Sequence, residues 1–256
     1  MKLKTVILLA RAYGKKRKQL LESVQSDISK MIEELDVNVK HLSTDKRGHF
    51  ILHIGGQDSE FVINMLIKNY GESIPFERIT EGQTLKGFLI DVGKVGYGFY
   101  VDITATNPTR VDVLIPLHRI RTQFGINKSL RFFASSLVFV DNLPVEVKIT
   151  NVDKNHQKLE ADFGQDTLNR FEKWVHDDHE RLLVFGANIN MIDNVLRKTG
   201  HLDDIYEVER LGIFEHALVC KRSTRASGIL AAIGPKMQGV PMHLFIPKEI
   251  EAKLNA

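Results

Sequence analysis

The residues of this chain with most chemical potential are cations set among aromatic rings. His118, Arg119, Arg121, Lys128 and Arg131 share one short stretch with Phe124, Phe132 and Phe133. A guanidinium pairs bidentately with phosphate and stacks on bases, so this mixture suits contact with RNA or the ribosome. The competing reading is that the phenylalanines anchor the stretch to a core and the arginines stay solvated. Lys15, Lys16, Arg17 and Lys18 open a long helical pattern. Four cations there oppose the helix macrodipole. A phosphate would relieve the conflict, and so would solvent around an ordinary charge run. Lys221, Arg222 and Arg225 form a smaller set before a second helix start, where free backbone amides can also hold a phosphate.

His176-Asp177-Asp178-His179-Glu180 invites a metal hypothesis. Positions 176, 179 and 180 share a helical face, so two ligands can converge, but a third of known position is missing and no metal is assigned. The sequence contains no phosphate-cradling GxxxxGK[ST], no dinucleotide GxGxxG between a strand and a helix, and no nucleophile elbow. There is thus no positive reason to expect an enzyme, a cofactor or catalytic residues.

The elements that must carry these groups fall into three segments. Residues 1–80 read as β-α-β-β-α. An apolar strand at Val6–Ala10 precedes a helix from Lys15 to Leu35, with Leu20, Val24, Ile28 and Leu35 on one stripe. A hairpin turns at Asp45-Lys46-Arg47-Gly48, and a second helix, capped by Asp58 or Ser59, stops at Gly71. A last strand at Ile74–Ile79, interrupted by Pro75, would complete a ferredoxin-like α/β unit.

Residues 81–165 hold five short strands. Leu85, Phe88 and Ile90 lead to glycines at 93, 96 and 98. Phe99, Val101 and Ile103 then alternate with Tyr100, Asp102 and Thr104. Asn107-Pro108 marks a turn, and Val111, Val113 and Ile115 run to Pro116. Val145, Val147 and Ile149 precede Leu159, Ala161 and Phe163. This pattern predicts a small Greek-key barrel with a long insertion from Arg119 to Asn142. Residues 166–256 read as a linker helix followed by β-α-β-β-α-β, a second ferredoxin-like unit, with Ser223 or Thr224 as a helix cap. The fold class expected is α+β in three domains.

At 256 residues, 43% hydrophobic and 26% charged, the composition is that of an ordinary soluble protein. The net charge of +3 says little about nucleic acid by itself. No apolar run reaches eighteen residues. Met1–Ala10 faintly resembles a signal peptide, but Arg11 and the lysines that follow favour a buried first strand. The single cysteine, Cys220, lies in an apolar run and fits a buried thiol in a reducing cytoplasm.

The barrel segment resembles the OB-fold RNA-binding domain named after ribosomal protein S-one. Gly87 and Tyr97-Gly98-Phe99-Tyr100-Val101 resemble its first two strands, Val113-Leu114-Ile115-Pro116-Leu117 its third, and Glu146-Val147-Lys148-Ile149 with Val152-Asp153 its last hairpin. Leu114 stands where that family often has histidine, and Pro116 where it usually has serine. The resemblance implies that Tyr97 and Tyr100 present rings to single-stranded RNA, with Lys86, Lys94 and Lys148 near its phosphates. Over the whole chain, the order α/β, barrel, α/β resembles an archaeal protein family of unknown function with a central OB-like domain. The expected role is a non-catalytic RNA-binding protein of translation or the ribosome. The alternatives are an interaction scaffold, possible as a homodimer through an open sheet edge, and an RNA-processing enzyme resting on the His-Asp cluster.

Overall fold

The computed structural model describes residues 3–107 and 109–255. The Asn107-Pro108 turn reaches Pro108, which lies outside them, as do Met1 and Lys2. The chain is mixed α+β, with a closed five-stranded barrel between two regions that each carry a sheet.

The first region runs β1 (Lys4–Arg11), α1 (Arg17–Met31), β2 (Val37–Thr44), β3 (His49–Gly56) and α2 (Ser59–Tyr70). Its sheet has the antiparallel order β1-β3-β2. Leu20, Val24 and Ile28 of α1 and Val62, Leu66 and Tyr70 of α2 recur every fourth residue, so each helix buries one stripe. They pack on Phe50, Leu52 and Ile54, which alternate along β3 and face one way. Asp58 does not cap α2 with its side chain; its carboxylate accepts from the Asp36 amide at 2.9 Å. A strand over Ile74–Ile79 is absent. Pro75 instead leads into a 3-10 turn at Phe76–Arg78, and β1 gains only an isolated bridge from Leu8 to Glu72.

The barrel comprises β4 (Thr84–Ile90), β5 (Gly98–Asn107), β6 (Thr109–Pro116), β7 (Pro144–Asp153) and β8 (Lys158–Phe163). It closes in the order β4-β5-β6-β8-β7, and only β6 and β8 pair in parallel. Phe99, Val101, Ile103, Val113, Ile115, Val147 and Phe163 fill it. Two glycines allow its strands to cross closely. A Cβ on Gly98 would stand 2.5 Å from the Ile115 carbonyl oxygen, and one on Gly87 2.7 Å from that of Asp102. The 119–142 stretch folds as α3 (Leu117–Phe124) and α4 (Leu130–Ser136), which sink Ile120, Leu130 and Phe133 into the barrel core.

The third region follows as α5 (Gln165–Val175), β9 (Arg181–Phe185), α6 (Ile189–Thr199), β10 (Ile205–Arg210), β11 (Glu215–Cys220), α7 (Ala226–Ile233), β12 (Met242–Phe245) and α8 (Pro247–Leu254). Its antiparallel sheet has the order β10-β11-β9-β12. Asn188 caps α6 by accepting from the Met191 amide at 2.9 Å, and left-handed Gly200 ends it. Neither Ser223 nor Thr224 caps α7; its first residue is Ala226, and the Ala226 amide donates to Glu180 Oε2 at 2.8 Å.

One face of this sheet holds α6 and α7. The other merges with the barrel through α5: Phe171 lies 4.7 Å from Phe139, and Trp174 5.1 Å from Phe245. Among the described residues no helix is long and apolar enough to cross a membrane.

Candidate nucleic-acid interface and the interdomain network

The outer face of β5 and β6 is built by alternation. With Phe99, Val101 and Ile103 inside, Tyr100 and Asp102 point outward, as do Arg110, Asp112 and Leu114 across the ladder. At the open end, Tyr97 is 55% exposed and its ring meets Tyr100 edge to face at 6.3 Å. The two hydroxyls are 2.9 Å apart. That hydrogen bond, with some burial and the charge of Asp112, pushes the Tyr100 pKa up to about 12, so this phenol is neutral at physiological pH. The Leu117 amide, donating to the Tyr97 carbonyl at 2.8 Å, ties the loop to the barrel. Lys94 stands on the same loop, paired with Asp91 at 2.5 Å.

The other end of this face is covered by the protein itself. The β2–β3 hairpin lays Arg47 across both strands: its guanidinium donates to Asp112 Oδ2 at 2.9 Å and to Asp102 Oδ2 at 3.0 Å. His49 Nε2 lies 3.0 Å from the same Asp102 oxygen, and Arg110 pairs with Asp45. Arg11, only 5% exposed, adds Nη1 at 3.8 Å from Asp102, donates Nη2 to Asn142 Oδ1 at 3.0 Å, and stacks over Phe88. A bulge in β5 aims Asp102 into this cluster. Thr104 takes φ +58°, unusual for a β-branched residue, and its amide donates to Asp102 Oδ1 at 2.8 Å. Burial raises the Asp102 pKa, but His49, the Thr104 amide and Arg47 outweigh it and hold the carboxyl well below its ordinary range.

A second buried contact ties the first region to the third. Tyr13 donates to Glu215 Oε1 at 2.7 Å. Burial, against the opposing effects of Tyr13 and Arg11, raises the Glu215 pKa to about 7. Sequence reading gave Asp102 and Thr104 only as outward strand positions and did not single out Arg47, His49 or Glu215. The one available signal was that Asp102 is the single charged residue of β5.

The remaining candidates are scattered. Arg119 pairs with Asp162 at 3.2 Å, and Arg121 donates to the Lys128 carbonyl at 2.8 Å. The Lys128 ammonium sits over Phe132 at 5.4 Å, while His118 and Arg131 are exposed. Phe124 and Phe133 are packed into the barrel core, as the anchoring alternative has it. Exposed Lys148 is a ladder neighbour of Thr84 and Asp162. Lys86 lines a cleft between the three regions, away from the two tyrosines.

Of the cationic run, Arg17 donates to Thr44 and to the Asp45 carbonyl, and the Lys15 stem lies against Gly239. Lys18 pairs with Glu22 at 3.9 Å, and Lys16 is the N-cap position of α1. Arg225 and Arg222 pair with Glu180 and Asp178, at 2.9 and 3.7 Å; Lys221 is exposed. Because Glu180 already accepts from the Ala226 amide, that terminus has its anion. The His-Asp cluster is likewise committed: Asp177 to Arg181, His176 to the Glu172 carbonyl, and His179 to the Cys220 carbonyl. Burial, then the charges of Glu180 and Asp204, push the Cys220 thiol up to about 11.

A central barrel flanked by two sheet-bearing regions is also how family models divide this chain. The DUF2110 N-terminal domain matches residues 5–75, the DUF2110 central domain 79–175, and the DUF2110 C-terminal domain 179–244. The chain belongs to the DUF2110 family. The central match takes in α5, in keeping with its packing on the barrel. No curated protein matches the chain.

Proposed function

We propose that this protein is a non-catalytic RNA-binding protein of the cytoplasm, acting in translation or at the ribosome, whose barrel is an OB-type module taking single-stranded RNA on its open face. The observation that carries the reading is the Tyr97–Tyr100 pair standing exposed at the uncovered end of β5. Aromatic rings at a wet surface accept stacked bases of any identity, each contributing about 1–3 kcal/mol. The strand order, with β6 and β8 closing the barrel in parallel, supports the OB assignment. The Arg47 hairpin restricts the face to its Tyr97 end, so the footprint is a few nucleotides. Flanking domains of ferredoxin-like type frame it; the βαββαβ order of the third region supports that description.

The test is fluorescence-polarisation binding of labelled single-stranded RNA, double-stranded RNA and single-stranded DNA at two salt concentrations. Salt-sensitive preference for single-stranded RNA is the expected result. No binding at low salt would overturn the reading in favour of a protein-interaction scaffold.

A further inference from the structure

Where the three regions meet, they enclose a cleft of about 1140 Å³, slightly above the range of roughly 300–1,000 Å³ usual for small-molecule sites. Four cations line it: Lys68 from α2, Lys86 from β4, Arg170 from α5 and Arg210 from β10. Among the described residues none of the four has a carboxylate within ion-pairing distance. Arginines buried elsewhere, such as Arg11 and Arg181, do have one.

Two side chains of the lining also carry sealed polar atoms without partners. His216 is 2% exposed and its Nδ1 has no hydrogen-bond partner; the same is true of Arg170 Nε. A buried imidazole nitrogen left in this state is costly unless something completes it. β11 alternation explains the placement: Glu215 faces the Tyr13 contact, while His216 faces the cleft beside its ladder partner Arg210. Burial, and then the charge of Arg210, lower the His216 pKa to about 4, so the ring is neutral at physiological pH. On the cleft wall, Ile189 is 47% exposed, an unusual state for a large apolar side chain, and Met31 and Ile213 stand with it.

The geometry points to a binding site for a phosphate-bearing nucleoside in this cleft. Cations without a carboxylate partner suit the phosphate, with Arg170 and Arg210 steadied by donation to the Pro144 and Gly212 carbonyls. The carboxylates of Asp27, Glu146 and Asp166, also on the lining, would repel a bare anion but accept hydrogen bonds from ribose hydroxyls or an exocyclic amine. Ile189 and its neighbours offer an apolar surface to a base, and the neutral His216 ring can hydrogen-bond an uncharged base edge. Simple phosphate uses only the first of these features, whereas a nucleotide uses all. The nucleotide is either free or the terminal residue of an RNA. The site stands independently of the barrel-face reading.

Isothermal titration calorimetry of the full chain with the four nucleoside monophosphates, the matching nucleosides and inorganic phosphate tests the proposal. Saturable heat is expected with monophosphates only. Arg210→Ala, a change at an exposed residue, should weaken binding at least tenfold. His216→Gln should bring the affinities for the four bases within about twofold of one another. Competition by a trinucleotide bearing a 5′-phosphate, against its 5′-hydroxyl form, separates the sources: stronger binding of the phosphorylated end identifies an RNA terminus, and stronger binding of the monophosphate a free nucleotide. Absence of heat with every monophosphate, phosphate binding as tightly as a nucleotide, or heat unchanged in Arg210→Ala would each overturn it. Monophosphate binding without binding of the 5′-hydroxyl oligomer would leave the cleft intact and remove the barrel-face reading instead.

Discussion

His49 Nε2 stands 3.0 Å from Asp102 Oδ2, a hydrogen bond between the N-terminal sheet and the barrel with both side chains sealed from solvent. Arg47 shares that oxygen and Arg11 lies just outside hydrogen-bonding range. One buried carboxylate thus decides how the first region sits on the barrel, and through Arg47 how much of the β5–β6 face is open.

Removing that carboxylate should be severe, because it leaves the buried Arg11 guanidinium uncompensated and the His49 ring without its partner. Asp102→Ala is expected to cost about 3–5 kcal/mol by urea denaturation at neutral pH. The pH dependence follows from a depressed pKa. The contribution is full above the ordinary value of 3.8 and is lost as pH falls further, toward the lower value of the folded state. Asp102→Asn should therefore flatten the acid limb of the stability curve.

Glu215 should show the opposite sign. Its pKa is raised from 4.5 to about 7, so the folded state holds a proton that the unfolded chain has released. Its contribution is full below about pH 4.5 and declines as pH rises to about 7. Glu215→Gln, which mimics the protonated form, should exceed wild type at pH 8 by on the order of 3 kcal/mol and match it near pH 4.5. Paired urea midpoints at the two pH values check this.

The tyrosine pair separates stacking from hydrogen bonding. Tyr97→Ala combined with Tyr100→Ala should weaken single-stranded RNA binding by more than tenfold, as expected from about 1–3 kcal/mol per stacked base. Tyr97→Phe with Tyr100→Phe loses the hydroxyl contact but keeps both rings, and should bind within a few-fold of wild type. Polarisation titrations of the three proteins give the comparison.

Glu180 is expected to act as a cap and not as a metal ligand. Glu180→Ala should lower stability by about 0.5–2 kcal/mol, the usual effect of losing a side-chain acceptor at a helix start. A chelator should leave the melting temperature of the wild type unchanged. A chelator-induced drop that Glu180→Ala abolishes would reverse the assignment.

Much of the architecture is legible in local patterns. Alternation at Phe99, Val101 and Ile103 fits β5 of the observed barrel, and the spacing of Leu20, Val24 and Ile28 defines the face of α1. Side-chain capping is less legible. Asp58 and Ser223 are good cap types, yet Asp58 serves the Asp36 amide, and at α7 Glu180, distant in sequence, replaces Ser223. A cap is a competition among nearby acceptors, and the winner need not be local.

The sequence by itself determined the periodic elements, the barrel's inward residues and the outward setting of Tyr100, because these follow from backbone period and solvent exclusion over a few residues. Only the tertiary structure decided that Asp102 is a buried hub, that Arg47 covers one end of the outer face, and that Lys86, Arg210 and His216 share one cleft. Those relationships join groups far apart in the chain. Their energies come from desolvation and charge at the interfaces between regions, which no local pattern of residues encodes.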